Sequence, residues 1–145
     1  MTAPLTWIVT ADGGAARFFE RLRPGADLTE KTDIAMRATP PAQPRDRLPR
    51  AQESATPARH SIEPRTSPRT ASETHFLRGV AQLINASAES GAFDALIVCA
   101  PPRALGILRD LLGSAAAQRL RQTIAKDFIH DSAKQLERHL EGSLP

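Results

Sequence analysis

Residues 95–100 read ALIVCA, six apolar or small residues in a row. A run of that length with no polar alternation is a strand covered on both faces, and such a strand needs helices above and below its sheet. An α/β core is therefore expected, with this strand near its middle. The whole chain of 145 residues supports one such core and is too short for two. It reads as a single domain over 1–145.

The neighbours of that strand follow from local patterns. LTWIVT (5–10) is rich in β-branched and aromatic residues and runs into ADGG, whose Asp-Gly pair predicts a tight hairpin turn with positive-φ positions. AARFFERLR (15–23) returns, with Arg17, Phe19 and Arg21 on one face and Ala16, Phe18 and Glu20 on the other. After Pro24-Gly25, LTEKTDIAM (28–36) alternates Leu28, Glu30, Thr32 and Ile34 with charged or small neighbours, which suits a third antiparallel strand at a partly exposed edge.

Further on, Thr70 and Glu73 have capping-box spacing, with Ser72 as a competing N-cap. Phe76, Val80, Leu83, Ile84 and Ser87 then share one helical face, and Gly91 is placed to end the helix. Pro101-Pro102 stop the apolar strand and open a helix striped by Leu105, Leu108 and Leu112; Gly113 ends it, and Ser114 caps a short helix through Leu120. QTIAKDF (122–128) reads as the fifth strand, and Ser132 with Gln135 gives a capping box for a last helix. The expectation is a mixed five-stranded sheet with helices packed on it, in the order β-β-β-α-β-α-α-β-α.

One stretch stands apart. Residues 40–68 carry seven of the twelve prolines and no aromatic residue, so they neither pair as strands nor build a core. The chain's charge collects around them: Arg37, Arg45, Arg47, Arg50, Arg59, Arg65 and Arg69 are set against only Asp46, Glu53 and Glu63, a net of +4, so that with +3 for the whole chain the remainder sums to −1. This excursion, at about 37–71, is open to three readings: a solvated tether, a phosphate-binding arm, or a proline-rich docking segment. The missing aromatics disfavour base stacking and leave backbone phosphate contact untouched. Sequence-specific DNA readout is not expected.

Catalytic signatures are sparse. No G-x-S-x-G, Walker or G-x-G-x-x-G spacing is present, and His60, His75, His130 and His139 have no metal-ligand spacing, so neither a cofactor nor a metal is expected. Cys99 lies in the apolar run and reads as a small buried hydrophobe. Asp127 and His130 fall at the end of the last strand, where α/β folds often place their sites, although orienting the next helix is the favoured account of them. Arg103 falls in the first turn of a helix, where the macrodipole opposes a cation, so an acidic side chain or an anionic ligand should compensate it. The start of the chain has no basic leader, and its apolar run is shorter than the ~18 residues of a membrane span. A soluble, cytoplasmic protein without membrane insertion is expected; the pattern does not indicate an oligomeric state.

WIVTADGGAARFFE, ARHSIEP, FDALIVCAPPRALGILR and IAKDFIHDSAKQLERHL together resemble the bacterial host attachment protein family, described as required for attachment to host cells. The resemblance spans nearly the whole chain. It maps family motif positions onto Asp12, Arg17, Arg59, His60, Glu63, Pro101, Pro102, Arg103, Gly106, Lys126, Asp127 and His130. That family is in turn similar to the middle domain of archaeal and eukaryotic class 1 peptide release factors, which implies a ribonuclease-H-like fold shared with some ribosomal proteins. In those factors the loop between the third strand and the first long helix carries a Gly-Gly-Gln tip that reaches the peptidyl-transfer centre. Here the equivalent place holds no Gly-Gly-Gln.

Two function classes follow. One is a non-enzymatic module that contacts structured RNA or the ribosome through Arg45, Arg47, Arg50, Arg59, His60, Arg65, Arg69 and Arg103, with an indirect role in attachment. The other is a hydrolase of an ester or phosphoester, such as a peptidyl-tRNA-like substrate, with His60 or His130 as general base and Asp127 nearby. No nucleophile is visibly activated, so the first class is favoured.

Overall fold

The structure is a computed structural model that describes residues 4–38 and 67–141. The positions Arg45, Arg47, Arg50, Arg59, His60, Glu63 and Arg65 lie outside the described residues.

Strands β1 (Thr6–Ala11) and β2 (Ala15–Arg21) form the expected antiparallel hairpin, in register from Thr6 against Arg21 to Ala11 against Ala16. The apolar run becomes β5 (Ala95–Cys99), parallel to β1, and β6 (Leu120–Ile124) runs parallel to β5 on its other side. All of β1 and β5 is buried, as continuous apolar strands should be.

The fold is α/β with a mixed sheet, and the described residues form six strands where five were expected. The third strand is divided: β3 (Thr29–Glu30) and β4 (Met36–Arg37) both pair with β2, separated by a 3-10 turn at Thr32–Ile34. Phe19 opposes Glu30 and Ala16 opposes Met36, so five residues of this edge stand against two of β2. The surplus is absorbed in the turn, where Thr32 and Asp33 belong to residue types that favour local turns over ladders. The sheet order is β3-β2-β1-β5-β6, with β4 also on β2.

Among the described residues four α-helices cover the sheet: α1 (Pro68–Glu89), α2 (Pro102–Leu111), α3 (Ser114–Arg119) and α4 (Ala133–His139). Phe76, Leu77, Val80 and Ile84 of α1, with Leu105 and Leu108 of α2, bury one face against Trp7, Val9, Phe18, Leu96 and Val98. The other face, Ile8, Phe19, Ile97 and Cys99, is closed by Leu136 and Leu140 at α4.

Three local expectations are corrected. Helix α1 starts earlier than the Thr70–Glu73 box: Ser67 is the N-cap, its hydroxyl accepting from Thr70 N at 3.1 Å, and Pro68 takes the first helical position, where a missing N–H costs nothing. Ser114 is the first residue of α3 and Gly113 its cap, while Asn85 of α1 accepts from Gly113 N at 2.8 Å and donates to Leu111 O at 3.1 Å. Strand β6 covers 120–124 in place of 122–128, because Pro101 and Pro102 end β5 and leave nothing beyond Ile124 to pair with. The Ser132–Gln135 capping box forms as expected, and Gly91 adopts φ +79° just past the end of α1.

Candidate functional site

Strands β1, β5 and β6 run parallel, so the segments following them emerge at one edge of the sheet. Those segments are Asp12–Gly13, Pro101–Arg103 and Lys126–His130. This carboxyl edge is where open α/β sheets place ligands, and it gathers the family motif positions that lie among the described residues, with Gly106 one turn into α2. The two ends of the arginine-rich segment join it. Ala38 N donates to Gly14 O at 2.7 Å, and Ala38 and Pro68 line the same groove.

The hairpin turn is built by Asp12, whose Oδ1 accepts from Gly14 N and Ala15 N, both at 2.8 Å. Neither Gly13 nor Gly14 has positive φ, contrary to the Asp-Gly expectation. Gly13 is needed for room: a Cβ there would lie 2.7 Å from Cγ and Cδ of Glu73.

Arg17 is a brace across the edge. Its Nε and Nη2 donate to the two carboxylate oxygens of Glu30 at 2.9 and 2.7 Å, and its Nη1 donates to the carbonyls of Ile129 and Asp131 at 2.8 and 2.6 Å. The hydrogen-bonded ion pair raises the pKa of Arg17 and lowers that of Glu30. Arg17 thereby fixes the loop that carries Lys126, Asp127 and His130. Asp127 Oδ1 accepts from Ile129 N at 3.1 Å, a turn contact, and His130 makes no side-chain hydrogen bond among the described residues. Asp127 and His130 are therefore not hydrogen-bonded to each other. The His–Asp pair that does form is His139 Nδ1 with Asp131 Oδ2 at 2.6 Å, with His139 stacked on Phe128 at 4.5 Å.

Arg103 has the compensating acid its helix position calls for: Glu73 Oε1 lies 3.6 Å from its Nη1, and Glu73 Oε2 lies 3.3 Å from Arg69 Nε. Arg69 belongs to the first turn of α1 and Arg37 to β4. Three depressions meet along this edge. A cleft of about 400 Å³ holds Asp12, Arg17, Arg37 and His130; a groove of about 880 Å³ between β4 and α1 holds Arg37, Met36, Arg69, Glu73 and Phe76; a smaller one of about 170 Å³ holds Gly13, Glu73 and Arg103. Arg37 is shared by the first two, and Gly13 and Glu73 by the last two.

The sequence reading missed Glu30, Glu73 and Asn85. Glu73 is four residues after Arg69 on a helix, a spacing that signals an ion pair, and Glu30 is a diagonal cross-strand neighbour of Arg17 once the hairpin register is known. Cys99 is fully buried, and desolvation followed by the charge of Asp131 pushes its thiol up to about 12, so it is inert packing. Among the described residues, no group of three His, Cys, Asp or Glu side chains is placed to hold a metal, and no helix is long and apolar enough to cross a membrane.

No curated protein matches the chain. Residues 7–140 match the family described as protein required for attachment to host cells, a span that takes in the whole carboxyl edge, and the chain belongs to that family.

Proposed function

We propose that this protein is a non-enzymatic module that contacts structured RNA, on the ribosome or free, through the carboxyl edge of its sheet and the arginine-rich residues that join it, and that its part in host attachment is indirect. The observation that carries this reading is convergence. Arg37, Arg69, Arg103, Lys126 and His130 lie along one edge, and the segment bearing Arg45, Arg47, Arg50, Arg59 and Arg65 departs from and returns to that same edge. Arginine forks suit phosphate, and clustered cations on one rim raise the local concentration of a polyanion. A three-strand antiparallel edge extended by two parallel strands supports the ribonuclease-H-like, release-factor-like reading of the fold.

The hydrolase alternative has less behind it. Among the described residues His130 faces the cleft without an orienting carboxylate, and Asp12 and Asp127 use a carboxylate oxygen to hold turns.

The test is co-sedimentation with ribosomes and with free structured RNA. The expected result is pelleting with one or both that falls steeply as salt rises. Failure to pellet with either at low salt would leave the reading without support.

A further inference from the structure

Glu73 lies over Gly13 of the hairpin turn. Its side chain is only 27% exposed, whereas the two arginines it contacts, Arg69 and Arg103, are 87% and 55% exposed. Each carboxylate oxygen takes a different arginine, at 3.3 and 3.6 Å, longer than the ~2.7–2.9 Å of a tight charge-assisted bond. Neither arginine has another side-chain partner among the described residues. One negative charge thus faces two positive ones, and Arg103 also bears the unfavourable field of the α2 N-terminus. The trio carries a spare positive charge, open to solvent at the meeting of two depressions.

We propose that Arg69 and Arg103 form a two-arginine fork for an RNA backbone phosphate and that Glu73 is its resident competitor, occupying the fork until a phosphodiester displaces it. The inference rests on the RNA-contacting reading above and adds the residue that sets its strength. A partly buried acid between two more exposed cations discriminates against weak anions, because an incoming anion must displace a carboxylate already in place.

Binding of a labelled oligouridylate by fluorescence anisotropy tests this. Glu73→Gln keeps the shape of the side chain and its contact with Gly13 and removes the competing charge, so affinity should rise about two- to fivefold, the factor that an exposed ion pair represents. Glu89→Gln, the same charge change at the exposed far end of α1, should give a smaller rise. In a background of Arg69→Gln and Arg103→Gln the gain from Glu73→Gln should fall to that of the Glu89 control. In the wild type, added oligouridylate should shift the Glu73 carboxyl carbon together with the Arg69 and Arg103 side-chain N–H resonances, a readout that does not depend on any variant folding. Wild-type binding with no gain in Glu73→Gln, or arginine shifts without one at Glu73, would overturn the inference and leave the RNA reading standing. No oligouridylate binding by either protein would overturn the inference, while the RNA reading stands or falls on the co-sedimentation with ribosomes and structured RNA.

Discussion

The guanidinium of Arg17 donates to the carbonyl of Ile129 at 2.8 Å, tying the first hairpin to a loop 112 positions later in the chain. The same side chain grips Glu30 at two points and also reaches Asp131 O, so four hydrogen bonds depend on one planar fork. Lysine offers a point charge and cannot reproduce that geometry. Arg17→Lys should destabilise the fold by about 1.5–3 kcal/mol, the range for hydrogen bonds to charged groups, and should loosen the 126–131 loop. Urea unfolding and hydrogen exchange of the Ile129 and Asp131 amides check the two parts.

The pair is also pH-dependent. Glu30 has a lower pKa folded than unfolded, so its contribution is complete above the ordinary glutamate range of about 4.3 and is lost as pH falls through the lowered value. Arg17 stays charged throughout. The stability difference between wild type and Glu30→Gln should be largest near neutral pH and shrink as pH falls below the ordinary glutamate range. A difference that grows on acidification would contradict the assignment.

Two glycines should respond in opposite directions. Gly106 lies inside α2, exposed, with open space where a Cβ would go, so Gly106→Ala should stabilise by about 0.5–1 kcal/mol. Gly13→Ala meets Glu73 at 2.7 Å and must push that flexible side chain aside, which should cost stability and break the contacts of Glu73 with Arg69 and Arg103. Thermal melts of the two variants on either side of wild type are the check.

Asn85→Ala should cost about 1–2 kcal/mol, since it leaves Gly113 N and Leu111 O without their side-chain partner at the α2–α3 junction. A change within about 0.5 kcal/mol, typical of a neutral surface substitution, would show that water replaces the amide freely.

What the sequence disclosed depended on the range of the interaction. The apolar run at 95–100, the β1–β2 alternation and the Ser132–Gln135 cap are local signals, and each appears in the structure where the pattern puts it. The misplaced elements were decided by distant partners. Strand β6 stops at Ile124 because prolines end its neighbour, and the third strand divides because β2 offers fewer pairing positions than the returning edge has residues. At the site, Asp12, Arg103, Asp127 and His130 were legible as residues after strands; the turn at Asp12 and the need of Arg103 for an acid were legible too, but not which acid meets it. Glu73 partly pairs the candidate binding arginines Arg69 and Arg103, Glu30 pairs the motif residue Arg17 at two points, and no spacing rule short of the tertiary register brings Arg17 to Ile129.

The central claim is that arginines at and beside the carboxyl edge hold RNA by its phosphates, and the salt dependence of oligouridylate affinity tests it most directly. With roughly five to seven phosphate contacts, log K should fall against log[salt] with a slope of about −3.5 to −5. Replacing Arg45, Arg47, Arg50 and Arg59 with glutamine should reduce the slope to about −0.7 to −2 while leaving the unfolding midpoint unchanged. A slope unaltered by the four substitutions, or the absence of binding by the wild type at low salt, would contradict the account.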